Sequence, residues 1–165
     1  MNIRYLIILI FSFVLFGFSF ESNKTGIKIY VVKGNFKSPF KDCKYCFDEK
    51  SVVLSKNPIL EESDIENFNW KDQQILLNES GKQKLKKIKI ELSGLPVVMV
   101  LNEKRLYSFW FWNNFSSFGC DRVYTYPKKD FKIKFGLPHN NTFGKDPRFN
   151  KILEKYVINK YKQNY

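Results

Sequence analysis

The chain has 165 residues, with 28 Lys and Arg against 16 Asp and Glu, a single His and 18% aromatic residues. That length fits one ordinary domain and excludes a multi-domain enzyme, while 44% hydrophobic residues are enough to offset the entropy of ordering and exclude a disordered chain. Alanine is absent, and only Arg4, Arg105, Arg122 and Arg148 among the basic residues are arginine, so the formal charge of +12 is carried almost wholly by lysine and argues only weakly for nucleic acid, whose specific recognition leans on the arginine fork.

In chain order, residues 1–4 give a positive start and residues 5–16 an almost unbroken apolar run, the anatomy of a secretory signal peptide. The run is shorter than the roughly 20 residues needed to cross a bilayer. Gly17-Phe18-Ser19 has the small-any-small spacing of a cleavage site, which predicts a leader over residues 1–19, a single domain over residues 20–165 and export to the periplasm or beyond the cell, with no transmembrane segment after cleavage.

Residues 26–32 alternate and are β-branched, predicting a strand, and residues 33–50, with Gly34 and Pro39, read as a long loop. Residues 60–68 are expected to form a short helix with Glu61, Glu62 and Asp64 at its positive start. Residues 73–77 follow as a strand. Asn78 then suits the cap of a helix over about residues 79–90, with Leu85, Ile88 and Leu92 on one face, although Ile88, Ile90 and Leu92 also alternate as a strand would.

Residues 97–101 and 105–112, joined by Asn102-Glu103-Lys104, make the strongest hairpin signal in the chain. Residues 122–126 and 131–135 predict a second strand pair. Asp146-Pro147-Arg148 reads as a helix start, with Asp146 as N-cap, Pro147 at the first helical position and Arg148 paired with a carboxylate; Phe149, Ile152, Leu153 and Tyr156 follow as the core stripe. The whole predicts an α+β fold, a mainly antiparallel sheet with two or three helices on one face.

Cys43, Cys46 and Cys120 admit three readings. In an oxidising compartment the composition favours a structural disulfide, either Cys43 with Cys46 or one of them with Cys120. A zinc site would have to recruit Cys120 and His139 from far away, and a thioredoxin-like pair needs its C-x-x-C at a helix start, whereas this one reads as loop.

Pro58-Ile59-Leu60 with Asp64-Ile65, Ile75-Leu76-Leu77, Gly81 and the run from Val98 to Ser108 resemble the periplasmic head region of the protein-export subunit SecD. Asp64-Ile65 with Trp70, and Asp146-Pro147-Arg148 with Asn150, are similar to patterns in small exported bacterial proteins of unknown function. The resemblance implies an α+β head-like domain outside the cytoplasm. Glu103 stands where the SecD turn carries Gly, and the translocase role does not carry over.

No catalytic elbow, phosphate loop or dinucleotide fingerprint is present, and His139 has no partner at metal-ligand spacing. The expectation is a non-catalytic domain without a cofactor that contacts a protein or cell-envelope partner through its aromatic-rich strand, with Tyr107, Trp110, Trp112 and Phe115 as contact residues. A small secreted enzyme or thiol redox protein acting through Cys43 and Cys46 is the alternative, and lysine-mediated adhesion to anionic surfaces a weaker third reading.

Overall fold

The computed structural model describes residues 25–163, so the expected leader lies outside the described residues. Within them the fold is α+β, built on one mainly antiparallel sheet and two helices. The centre of the sheet is the hairpin expected from the sequence, β6 (Leu95–Leu101) and β7 (Lys104–Phe111), joined by Asn102 and Glu103 alone. Both turn residues have positive φ, 48° and 66°, the backbone that matches the right-handed twist of a two-residue hairpin. The Asn102 side chain accepts a hydrogen bond from the Gly26 N–H at 2.7 Å, which ties the turn to the start of β1 (Ile27–Lys33).

β1 lies antiparallel to β6 and carries two short partners, β2 (Val53–Leu54) and β3 (Leu60–Glu61), on its other edge. Beyond β7 comes β8 (Cys120–Thr125), which is parallel to it through Trp110↔Tyr124 and Phe111↔Thr125, and then β9 (Lys134–Leu137), antiparallel to β8. Parallel neighbours usually need a long crossover. Here the loop of residues 113–119 suffices, because only the ends of the two strands pair.

Residues 60–68 do not form the expected helix. Asp64 accepts the Glu61 N–H at 2.9 Å and closes a single 3-10 turn, Glu62–Asp64. The chain then straightens into β4 (Ile65–Asn69), which pairs with β5 (Gln74–Leu77); the cross-strand partner, absent from any local pattern, decides against the helix. Asn78 caps α1 (Glu79–Lys87) as expected, accepting from the Gly81 N–H at 3.0 Å. The helix stops before Ile88, whose backbone is extended; Ile88 and Ile90 pack on the core from an irregular segment, and Leu92 is exposed.

At the C-terminal end Asp146 is not the cap. Its carboxylate forms a bidentate pair with the Arg148 guanidinium, with Nη2 at 2.7 Å and Nε at 3.0 Å, while Asn150 caps α2 (Lys151–Tyr161) by accepting from the N–H groups of Ile152 and Leu153. An Asn cap of this kind contributes about 1 kcal/mol. The helix starts four residues later than expected; Leu153 and Val157 are buried, Tyr156 is half-buried, and Ile152 and Phe149, the latter ahead of the helix, are exposed.

Because side chains alternate across a strand, the sheet has two apolar faces. Ile27, Ile29, Val97, Met99, Tyr107, Phe109 and Phe111 meet the β4–β5 hairpin and both helices. Val32, Val98, Val100, Trp110, Trp112, Cys120 and Tyr124 face the other way, under the loop of residues 34–52.

Candidate functional site

β7 decides where the aromatic residues go. Phe109 and Phe111 bury on the helix face, and Trp110 and Trp112 on the loop face. Tyr107, Trp110 and Trp112 retain no more than 6% of their surface, so the expected exposed strand face is corrected: the strand is central and packed on both sides. Of the four expected contact residues only Phe115 is open, at 90% exposure.

The cover over the two tryptophans is built by the C-x-x-C. Cys43 and Cys46 lie at disulfide distance from each other, and Cys120 is a separate, buried thiol. The cross-link closes a tight loop that drives Tyr45 between the indoles, with ring centroids 5.0 Å from Trp110 and 5.1 Å from Trp112, both edge-on. Edge-to-face pairs of this kind contribute about 0.5–1.5 kcal/mol each beyond their burial. Trp110 Nε1 donates to the Tyr45 carbonyl at 2.9 Å, and Phe36 and Phe47 fill the remaining space over Trp110. Gly94 lies against the Trp112 ring at φ 87°, where an added Cβ would come within 2.7 Å of the ring carbons; glycine is required there twice over.

A loop laid over a sheet must satisfy its own backbone. Here Arg105 Nη1 reaches the carbonyls of Glu49, Lys50 and Val52, at 2.6, 3.1 and 2.9 Å. Asp121 on β8 accepts from the N–H groups of Lys44 at 2.8 Å and Tyr45 at 3.2 Å. Arg122 donates to the Phe143 carbonyl, and Arg148 Nη1 to that of Ile133 at 2.7 Å. Every arginine among the described residues thus donates to backbone carbonyls outside the helices and strands. The sequence signal was there: arginine is rare in this chain and hence placed for a reason.

What reaches solvent is a rim of phenylalanines around this cover. Phe115 and Phe118, the latter 48% exposed, project from the loop of residues 113–119. That loop is pinned: Asn113 Nδ2 donates to the Ile90 carbonyl at 2.7 Å, Ser116 Oγ to the Leu92 carbonyl at 2.6 Å, and the Phe115 N–H donates to Asn113 Oδ1. Lys44 Nζ lies 5.3 Å from the Phe118 ring centroid, joining this loop to the disulfide loop. Phe40, 54% exposed, touches Phe143 at 5.3 Å between centroids, and the Phe143 N–H donates to the Asp121 carbonyl. Lys37, Lys41 and Lys44 are exposed in the same loop. Phe118 closes the aromatic-rich segment that begins at Tyr107 but was not among the expected contact residues, and Phe40 was missed, because a single aromatic residue in a polar loop carries no pattern.

Cys43 and Cys46 lie at disulfide distance from each other, which does not match the separation of two zinc ligands. Neither sulfur sits at a helix start, and both cysteines are buried. Burial pushes the Cys120 thiol up to about 12, so it stays protonated. His139 is exposed, and no group of three or more His, Cys, Asp or Glu among the described residues is placed to hold a metal ion. No helix among the described residues is long and apolar enough to cross a membrane. No protein-family model, no curated protein and no solved structure matches this chain.

Proposed function

We propose that this protein is an exported, non-catalytic binding domain that docks on an anionic cell-envelope surface through the phenylalanine rim and its lysines. The observation that carries the reading is Phe115: a large apolar side chain held 90% exposed on a loop fixed by side-chain hydrogen bonds, so that its display costs little further ordering on contact. Phe118 and Phe40 extend the apolar surface, and Lys37, Lys41 and Lys44 supply positive charge beside it. Aromatic rings flanked by cations suit the boundary of an anionic bilayer, where each buried ring contributes about 1.5–3 kcal/mol and each lysine about 1 kcal/mol.

The test is co-sedimentation with vesicles of phosphatidylglycerol and phosphatidylcholine against vesicles of phosphatidylcholine alone. Binding is expected to the anionic vesicles only, to weaken with salt, and to fall at least about tenfold in F115A/F118A, with an unchanged melting temperature because both rings lie outside the core. Equal partitioning of the variant, or no sedimentation with anionic vesicles, would overturn the reading. The thiol redox alternative has less support, because both sulfurs are covered and serve to seat Tyr45.

A further inference from the structure

The helix-covered side of the molecule has its own concavity, independent of the phenylalanine rim. A cavity of about 420 Å³ opens between β5, α1 and residues 127–131. Its origin lies in the path of the chain. Residues 131–133 run alongside the start of β5, with the Ile75 N–H donating to the Phe131 carbonyl at 3.2 Å and the Ile133 N–H to the Gln73 carbonyl at 2.8 Å. Just upstream the chain lies by the far end of α1, where Lys128 Nζ donates to the carbonyls of Ile88 at 2.7 Å and Lys86 at 3.3 Å. The cavity lies between these two attachments.

The floor is apolar. Ile75, Leu77, Leu85 and Phe131 belong to the main core and present their outer edges to the cavity. The rim is cationic, with Lys82, Lys86, Lys128 and Lys129 around the mouth against Glu66 and Asp130. The Asp130 carboxylate is turned to its own loop, accepting from the Lys132 N–H at 3.2 Å and lying 3.6 Å from Lys134 Nζ. Lys82 is paired with Glu79. Lys128 is bonded to neutral carbonyls, and neither Lys86 nor Lys129 has a carboxylate within 4 Å among the described residues. The ammonium groups of Lys86, Lys128 and Lys129 thus outnumber the carboxylates of Glu66 and Asp130 at the mouth, over an apolar floor.

We propose that this pocket binds a small anionic amphiphile, a molecule with a carboxylate or phosphate head on a short hydrocarbon tail. The tail takes the floor, and the head takes the ammonium groups of Lys86 and Lys129 at the mouth. The volume is at the lower end for ligand pockets, roughly 300–1,000 Å³, which suits a small molecule.

Titration of the isotopically labelled protein with decanoate, decyl phosphate and decyltrimethylammonium, followed amide by amide, tests this. Decanoate or decyl phosphate is expected to shift the amides of residues 75–86 and 128–131 in a saturable way, the tighter of the two identifying the head group, while the cation of equal tail length binds at least about tenfold more weakly. The variant K86E/K129E should lose about tenfold or more in affinity for the anions with its melting temperature retained, since both side chains are exposed. Shifts confined to residues 115–118, equal binding of the cation, or undiminished affinity in the variant would each overturn the proposal.

Discussion

The two faces of the central sheet are covered by different means. On one, helices and a hairpin satisfy their own backbone hydrogen bonds, so the contact can be almost wholly apolar, as it is around Phe109, Met99 and Leu153. On the other, the loop of residues 34–52 lies over Trp110 and Trp112, and its peptide groups need outside partners. They find them in the Arg105 guanidinium, the Asp121 carboxylate and the Trp110 indole. A loop can therefore close a core, provided the sheet below supplies charged side chains at the edge of the apolar patch. The helix face has polar ties as well, Glu62 accepting from the Ile27 N–H and the Tyr161 hydroxyl and Glu154 from Trp70 Nε1, but only the loop face adds a covalent bond.

The most buried of the carboxylate ties on the helix face, Asp64, gives the largest expected effect. Asp64 is 1% exposed and accepts from the Glu61 N–H, from Ser80 Oγ at 3.1 Å and from Lys84 Nζ at 2.7 Å, holding the 3-10 turn against the start of α1. Asp64→Ala removes three bonds at once and leaves the Glu61 N–H without its acceptor. A loss of about 3 kcal/mol in urea unfolding is expected. A loss below about 1 kcal/mol would mean that α1 docks by apolar contact alone, and the contrast between the faces would become sharper still.

On the loop face the corresponding change is C43S/C46S. The bond closes a four-residue loop, and the chain-entropy argument gives about 2 kcal/mol for it. The spectroscopic consequence is more specific: Tyr45 is no longer wedged between the indoles, so tryptophan emission should shift to the red and acrylamide quenching should rise at denaturant concentrations where the fold persists. Unchanged quenching would show that Arg105 and Asp121 hold the cover without the cross-link.

The same contrast explains what could be read from the sequence. The β6–β7 hairpin, β1, β5 and the Asn78 cap are specified within a few residues by alternation, turn chemistry and capping, and each lies where expected. Asn150 and Asp146 compete for one helix start, and Arg148, close enough to neutralise Asp146, settles the competition. β4 was misread as part of a helix, because only its pairing with β5 makes it a strand. The aromatic run from Tyr107 to Trp112 was correctly read as unable to bury on one face, but which cover lay over the second face depended on the disulfide loop, more than 50 residues away in sequence. The exposed rim was half legible: Phe115 stood out in an aromatic segment, whereas Phe40 gained its place only through contact with Phe143.

The smallest effect is the most discriminating. Tyr107 is buried in the helix-face core between Phe109 and the strands around it, and its hydroxyl has no hydrogen-bond partner among the described residues. Burial drives its phenol far above the usual range, so the group stays neutral and contributes no pH dependence between neutrality and pH 10. A buried hydroxyl without a partner bears a desolvation cost that phenylalanine does not, with nearly the same ring volume. Y107F should therefore be neutral or more stable by up to about 1 kcal/mol. A destabilisation of more than about 1 kcal/mol would reveal a bound water or another partner at that oxygen, and would mean that the helix face, too, relies on a polar tie inside its apolar core.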